Sequence, residues 1–167
     1  FASSMGNMSM STLNVSSMCL MITASSAGGA VYHLMEIERK YLLRERPADL
    51  AGFPCSRLSQ SYISRDPVIR VRRKEQAGQV TYRLTVKGKG LAEREEFELP
   101  LTKEQYEQLL QKKEGEPVEK CRYRIPLPDG HTAELDIFAG RHAGLQLVEV
   151  EFSSRDDMES FVPPAWF

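Results

Sequence analysis

The stretch VTYRLTVKGKG, residues 80–90, alternates with period two: Tyr82, Leu84 and Val86 fall on one side, Arg83, Thr85 and Lys87 on the other. That period is the geometry of a β-strand, whose successive side chains leave opposite faces, and the glycines that close the stretch mark a hairpin turn rather than a phosphate-cradling loop. Working outward, the same pattern predicts strands at 35–43, 60–64, 68–74, 93–99, 119–126, 132–138 and 145–152. EQAGQ, LPDG and AGRHAG supply turn chemistry between them. Eight short strands without a crossover helix between each pair predict a mainly β fold, an eight-stranded antiparallel sheet closed into a barrel. LTKEQYEQLLQKK predicts a helix outside it: Thr102 and Gln105 have capping-box spacing, and Tyr106, Leu109 and Leu110 form an apolar stripe. Shorter helical turns are expected at 47–52 and within SRDDMES.

The chain has 167 residues, 41% of them hydrophobic, which suits one domain with one sizeable core. Its 22 Lys and Arg nearly balance 23 Asp and Glu, so bulk charge favours neither nucleic-acid binding nor a solvating acidic tail. The three cysteines, Cys19, Cys55 and Cys121, are an odd number without CxxC spacing, which argues against a disulfide framework or a zinc site and for a reducing, cytoplasmic setting. Residues 1–34 contain no Asp, Glu, Lys or Arg. This segment is expected to be a disordered or non-native extension, with the domain at 35–167 and Met35 as its natural start. The apolar cluster MCLMITA is too short to span a membrane, which takes roughly 20 residues.

The polar strand faces carry the functional signal. A small barrel ordinarily turns apolar side chains inward and charges outward. Here Glu36, Glu38 and Lys40 share a face, as do Arg70, Arg72 and Lys74; Arg83, Thr85 and Lys87; Arg94, Glu96 and Glu98; Lys120, Arg122 and Arg124; Glu134 and Asp136; and Glu149 and Glu151. Like charges stacked along one strand gain nothing structurally on a solvated surface. Turned inward, they line a channel whose cations suit phosphate oxygens and whose carboxylates suit hard divalent cations. That pairing is what phosphoryl transfer needs, with water as nucleophile. Arg73, Lys74 and Lys89 are expected to face solvent, and Arg83 to bridge to Glu98 or Glu96 or to join the lining. His33, His131 and His142 have no ligand spacing and are expected to take no catalytic part.

EIERK at 36–40 resembles the Glu-x-Glu-x-Lys hallmark of the CYTH superfamily, the triphosphate tunnel metalloenzymes. VIRVRR, LTVKGKG, REEFE, EKCRYRIP, ELDIF and LVEVEF follow in order and resemble successive strands of the family's bacterial single-domain members, from about residue 35 to 167. The resemblance implies a tunnel that binds a linear triphosphate and requires Mg²⁺ or Mn²⁺. It implies metal ligands at Glu36, Glu38, Glu149 and Glu151, with Asp136 holding a metal or orienting the bases. It further implies a phosphate-binding lining of Lys40, Arg70, Arg72, Lys87, Arg94, Lys120 and Arg122, with Lys40 also placed to interact catalytically with the attacking water or with a nearby tyrosine, for which Tyr62 is the candidate. FVPPAWF resembles a segment after which family members continue, so the C-terminus is expected to be truncated. The implied activity is hydrolysis of inorganic triphosphate. Alternatives are thiamine triphosphate hydrolysis, cyclisation of ATP, and non-catalytic binding of polyphosphate or nucleotides. The expected partner is a small-molecule triphosphate, with neither nucleic acid nor membrane.

Overall fold

The computed structural model describes residues 21–24, 30–89 and 93–167. Nine strands run in chain order: β1 (Met21–Ala24), β2 (Ala30–Leu42), β3 (Cys55–Arg65), β4 (Val68–Gln76), β5 (Gln79–Lys87), β6 (Glu93–Leu101), β7 (Glu114–Pro126), β8 (Thr132–Phe138) and β9 (Gln146–Glu151). All pairings are antiparallel, in the order β1-β2-β6-β5-β4-β3-β7-β8-β9. A further β2–β9 pairing joins the ends of this series. β2 through β9 therefore form the expected eight-stranded closed barrel, and β1 adds a short strand to the N-terminal half of β2.

β2 divides its length between two neighbours. Tyr32–Ile37 face β6 and Glu38–Leu42 face β9, which lets one strand close the barrel. It begins at Ala30, five residues before the strand expected from the charge boundary. Alternation of charge locates only where polar side chains start, whereas the backbone ladder continues through uncharged residues. The expectation of an extension over 1–34 falls outside the described residues for 1–20 and 25–29.

Hairpins explain the tight connections. β4 and β5 are joined through Ala77 and Gly78, both at positive φ (49° and 78°), between paired Gln76 and Gln79. Two central residues with positive φ match the right-handed twist of the flanking strands. At the β7–β8 turn, Gly130 at φ 94° returns its N–H to the Leu127 carbonyl.

Helix α1 (Lys103–Leu110) carries the expected capping box, with Thr102 accepting from the Gln105 N–H and the Gln105 side chain accepting from the Thr102 N–H. It lies on the outer wall, where Tyr106 meets Tyr82 with ring centroids 4.8 Å apart. The turn expected at 47–52 narrows to a 3₁₀ turn at Leu50–Gly52, and SRDDMES forms α2 (Arg155–Ser160).

The main apolar core lies outside the barrel. Ala133, Leu135, Val148 and Val150 are fully buried on the outer faces of β8 and β9, beneath Met158 of α2 and the Phe161 and Phe167 rings. Their strand neighbours Glu134, Asp136 and Glu149 turn the other way, so the same alternation that builds this core fills the barrel with charge.

Cys55 and Cys121 are disulfide-bonded across β3 and β7, with Cα atoms 5.8 Å apart. The expectation of no disulfide is corrected, and the cysteine argument for a reducing compartment lapses with it. The two residues are 66 positions apart in sequence and meet only because β3 pairs with β7. Among the described residues, no helix is long and apolar enough to cross a membrane.

Candidate active site: a charged tunnel

The interior of the barrel is an open cavity of about 1170 Å³, lined from all eight strands. Twelve of the thirteen residues singled out from sequence line it: Glu36, Glu38 and Lys40 from β2, Tyr62 from β3, Arg70 and Arg72 from β4, Lys87 from β5, Arg94 from β6, Lys120 and Arg122 from β7, and Glu149 and Glu151 from β9. Asp136, the thirteenth, is fully buried in the wall. Its two oxygens accept from Lys120 (2.5 Å) and from Nε and Nη2 of Arg122 (2.6 Å each), so its contacts are with the bases.

Each strand places its residues by parity. Cross-strand pairing then decides which carboxylate meets which cation: Lys40 faces Glu149 and Glu38 faces Glu151 across the β2–β9 seam, while Glu36 faces Arg94 across β2–β6. Lys87 Nζ donates to both Glu36 oxygens (2.9 and 2.8 Å), and Arg94 reaches Glu36 and Glu38 at 2.7 Å. Burial alone would raise the Glu36 carboxyl, but Lys87 and Arg94 outweigh it and hold it down to about 2. Lys40 Nζ lies 2.6 Å from Glu149 and 3.0 Å from Glu38. Burial opposes its charge, yet these two carboxylates raise its pKa above that of an ordinary lysine, so Lys40 is an ammonium donor. Glu149 is also buried but is held well below the usual carboxylate range by Arg122 and Lys40.

Arg122 is the hub of the wall formed by β7, β8 and β9. It donates to Asp136, Glu134 and Glu149, leaving one of its five N–H groups outside these bonds. Lys120 is pushed below the ordinary lysine value by burial first and by Arg122 next, against the pull of Asp136.

Of the charged site residues singled out from sequence, two stand apart from this pairing. Arg70 makes no ion pair among the described residues, and its Nε is buried without a hydrogen-bond partner. Glu151, at the tunnel mouth, has no cation within ion-pair distance among the described residues. The crowded wall and then the Glu134 and Glu36 carboxylates push it up to about 7, although the side chain keeps solvent access.

No group of three Asp, Glu, His or Cys side chains is gathered closely enough to hold a metal among the described residues, because the carboxylates are turned toward lysines and arginines. The donor set nevertheless fits a hard divalent cation. Four carboxylates lie on two paired strands, and Glu151 stands among its neighbours' negative charge with no cation within ion-pair distance among the described residues.

Tyr62 sits where β3 shifts register against both β4 and β7, an irregularity of the kind that re-aims a side chain, and it pairs with Arg70 across β4. Its ring carries the Arg65 guanidinium at 5.2 Å. Lys74, expected in solvent, lines the tunnel; it shares the parity of Arg70 and Arg72, which was the available signal. Arg73 pairs with Glu75 and is partly exposed. Arg83 takes the bridging alternative, to Glu98, while also lining the tunnel. His142 lines the cavity, whereas His131 packs between the rings of Phe152 and Phe161.

No family model matches the chain. An inorganic triphosphatase of Nitrosomonas europaea is 41% identical over 136 residues, which cover 80% of this chain and 87% of that protein. The crystal structure of an inorganic triphosphatase matches with a TM-score of 0.54 at 40% identity, covering 79% of this chain and 83% of that one. A protein from Pyrococcus horikoshii shares the fold, with a TM-score of 0.56 at 23% identity over 74% of this chain and 82% of that one. A closed antiparallel barrel with a charged interior, together with this extent of identity, shows that the chain belongs to the CYTH superfamily.

Proposed function

We propose that the protein hydrolyses inorganic triphosphate to pyrophosphate and orthophosphate. The observation that carries this reading is the convergence of seven cations, Lys40, Arg70, Arg72, Lys87, Arg94, Lys120 and Arg122, on one cavity, and the Nitrosomonas europaea relative supports the choice of substrate. A linear triphosphate is a chain of anionic oxygens without other recognition handles, so what holds it is a surrounding wall of donors. Water attacks the terminal phosphorus, its oxygen stays on the released orthophosphate, the bridging oxygen leaves with pyrophosphate, and the proton the water gives up passes to the product phosphate oxygens or to solvent. Lys40, held protonated by Glu149 and Glu38, orients the attacking water or the terminal phosphate as a donor. Tyr62, on the wall beside Arg70, offers a hydroxyl to the same end.

Mg²⁺ or Mn²⁺ would be held by Glu36, Glu38, Glu149 and Glu151. When bound it neutralises charge that develops on the phosphate oxygens. With the ion held there, Lys40, Lys87, Arg94 and Arg122, which pair with Glu36, Glu38 and Glu149 in this structure, would be available as donors to the phosphate oxygens.

The test is phosphate release from triphosphate, ATP and thiamine triphosphate, with Mg²⁺ or Mn²⁺ and after chelation. Triphosphate should be the preferred substrate, chelation should abolish turnover, and Lys40→Ala and Glu149→Ala should each lower kcat/KM by at least about 100-fold. Turnover of the nucleotide or thiamine ester alone would sink the assignment.

A further inference from the structure

Two carboxylates in the tunnel, Glu96 and Glu98 on β6, are neither on the metal-ligand strands nor in the wall behind Lys120 and Arg122; Glu96 is taken by Lys87 at 2.6 Å, whereas Glu98 bridges two arginines. Glu98 on β6 is only 7% exposed. Its Oε1 accepts from Arg72 Nη2 at 2.8 Å and its Oε2 from Arg83 Nη1 at 2.5 Å, while the fully buried Thr85 hydroxyl lies 3.4 Å from Oε1. Arg72 and Arg83 are direct cross-strand partners on β4 and β5, so two guanidinium groups stand opposite each other at a position where like charges repel. Arg70 and Arg122 add further positive charge around Arg72. Glu98 is the ion partner of Arg72 among the described residues, and a single donor of Arg72 is spent on it.

We propose that Glu98 is a positioning residue: it ties Arg72 and Arg83 into one paired donor surface on the tunnel wall and makes Arg83 a further phosphate-contacting residue. This rests on the triphosphatase reading above. The contrast with Arg122 carries the argument. That guanidinium commits four N–H groups to three carboxylates, so its geometry is determined with little left to offer. Arg72 is anchored at one point and keeps its other donors for a ligand. Removing Glu98 leaves the tunnel more cationic yet less ordered. An anion should then bind as well or better while its reacting phosphorus is held less accurately, and a misplacement of about 1 Å is enough to cost roughly 100-fold in rate.

The experiment compares wild type, Glu98→Gln and Glu98→Asp in steady-state phosphate release from triphosphate, with calorimetric triphosphate affinity in the absence of metal, metal half-saturation, and thermal melting. Glu98→Gln should lose about 10- to 100-fold in kcat with triphosphate affinity retained or improved and metal half-saturation unchanged. Glu98→Asp, which keeps the charge, should recover part of the loss. Unchanged kcat and KM with only a lower melting temperature would show a structural role and overturn the proposal. A shifted metal half-saturation would overturn it by making Glu98 a metal ligand. If Glu98→Gln does not fold, Glu98→Asp decides: reduced kcat at a retained KM supports the role, and wild-type kcat refutes it. A wild type that releases no phosphate would overturn the triphosphatase reading and this role together, whereas an active wild type with an unaffected Glu98→Gln refutes this role alone.

Discussion

Arg70 and Glu149 show how differently two charged residues in one tunnel are held. Glu149 is clamped by Lys40 and Arg122, so changing it disturbs both cations. Arg70 is tied to no carboxylate among the described residues and keeps a buried, unpartnered Nε, a state that is costly in the free protein and relieved by an anionic ligand. On the proposed function, Arg70→Ala therefore removes a contact to the triphosphate without breaking an ion pair among the described residues. A charge-assisted hydrogen bond contributes roughly 1.5–3 kcal/mol, so KM for triphosphate should rise about tenfold or more, while the melting temperature stays level or increases. Steady-state kinetics with a thermal melt on the same variant checks both halves, and a large fall in melting temperature would contradict the reading. Which residues belong in the tunnel was legible from parity and motif. Which of them are already paired was not, because ion-pair partners such as Arg72 and Glu98 lie 26 positions apart and meet through two hairpins.

Strands announced themselves through alternation, and their ends did not. β3 was expected only at 60–64 but runs over Cys55–Arg65, since the polar Ser56 and the apolar Leu58 share the inward face and so give no alternation of polarity to read, although both line the tunnel. Helix α2 has six residues, fewer than an isolated helix needs, and depends on its contacts. Ser154 accepts from the Asp157 N–H, the Asp157 carboxylate accepts from the Ser153 N–H (3.0 Å) and hydroxyl (2.8 Å), and His131 Nε2 lies 3.1 Å from Asp157. The Ser153 N–H and hydroxyl hold the Asp157 carboxyl below its ordinary 3.8. A depressed carboxylate pKa contributes stability that is present above 3.8 and disappears as the pH falls through the lowered folded value. Asp157→Asn should lower the melting temperature by a few degrees at neutral pH, consistent with about 1 kcal/mol for a hydrogen-bonded carboxylate in the first turn of a helix. The gap between variant and wild type should close in strong acid. A gap that persisted there would assign the effect to packing of α2 on Phe152 and Phe161.

At the scale of the whole barrel, closure through β2 and β9 brings the tunnel cations and carboxylates into one low-dielectric space, where their fields add. Net charge is −1, so attraction of a polyanion must come from this focused interior and not from the protein as a whole. KM for triphosphate should accordingly rise with ionic strength in NaCl, most steeply below about 0.15 M, where the Debye length still exceeds roughly 8 Å. A salt-independent KM would argue against capture by the tunnel field. The sequence by itself determined the eight strands of the barrel, their antiparallel closure, the inward set of charges and the family, because period-two alternation and ordered local motifs are written residue by residue. Only the tertiary structure decided that Cys55 meets Cys121, that Asp136 lies behind Lys120 and Arg122, that Glu98 joins Arg72 to Arg83, and that Arg70 has no ion partner among the described residues. The physical reason is that alternation selects a face for each side chain, whereas its partner is set by register and barrel closure, which depend on strands distant in the chain.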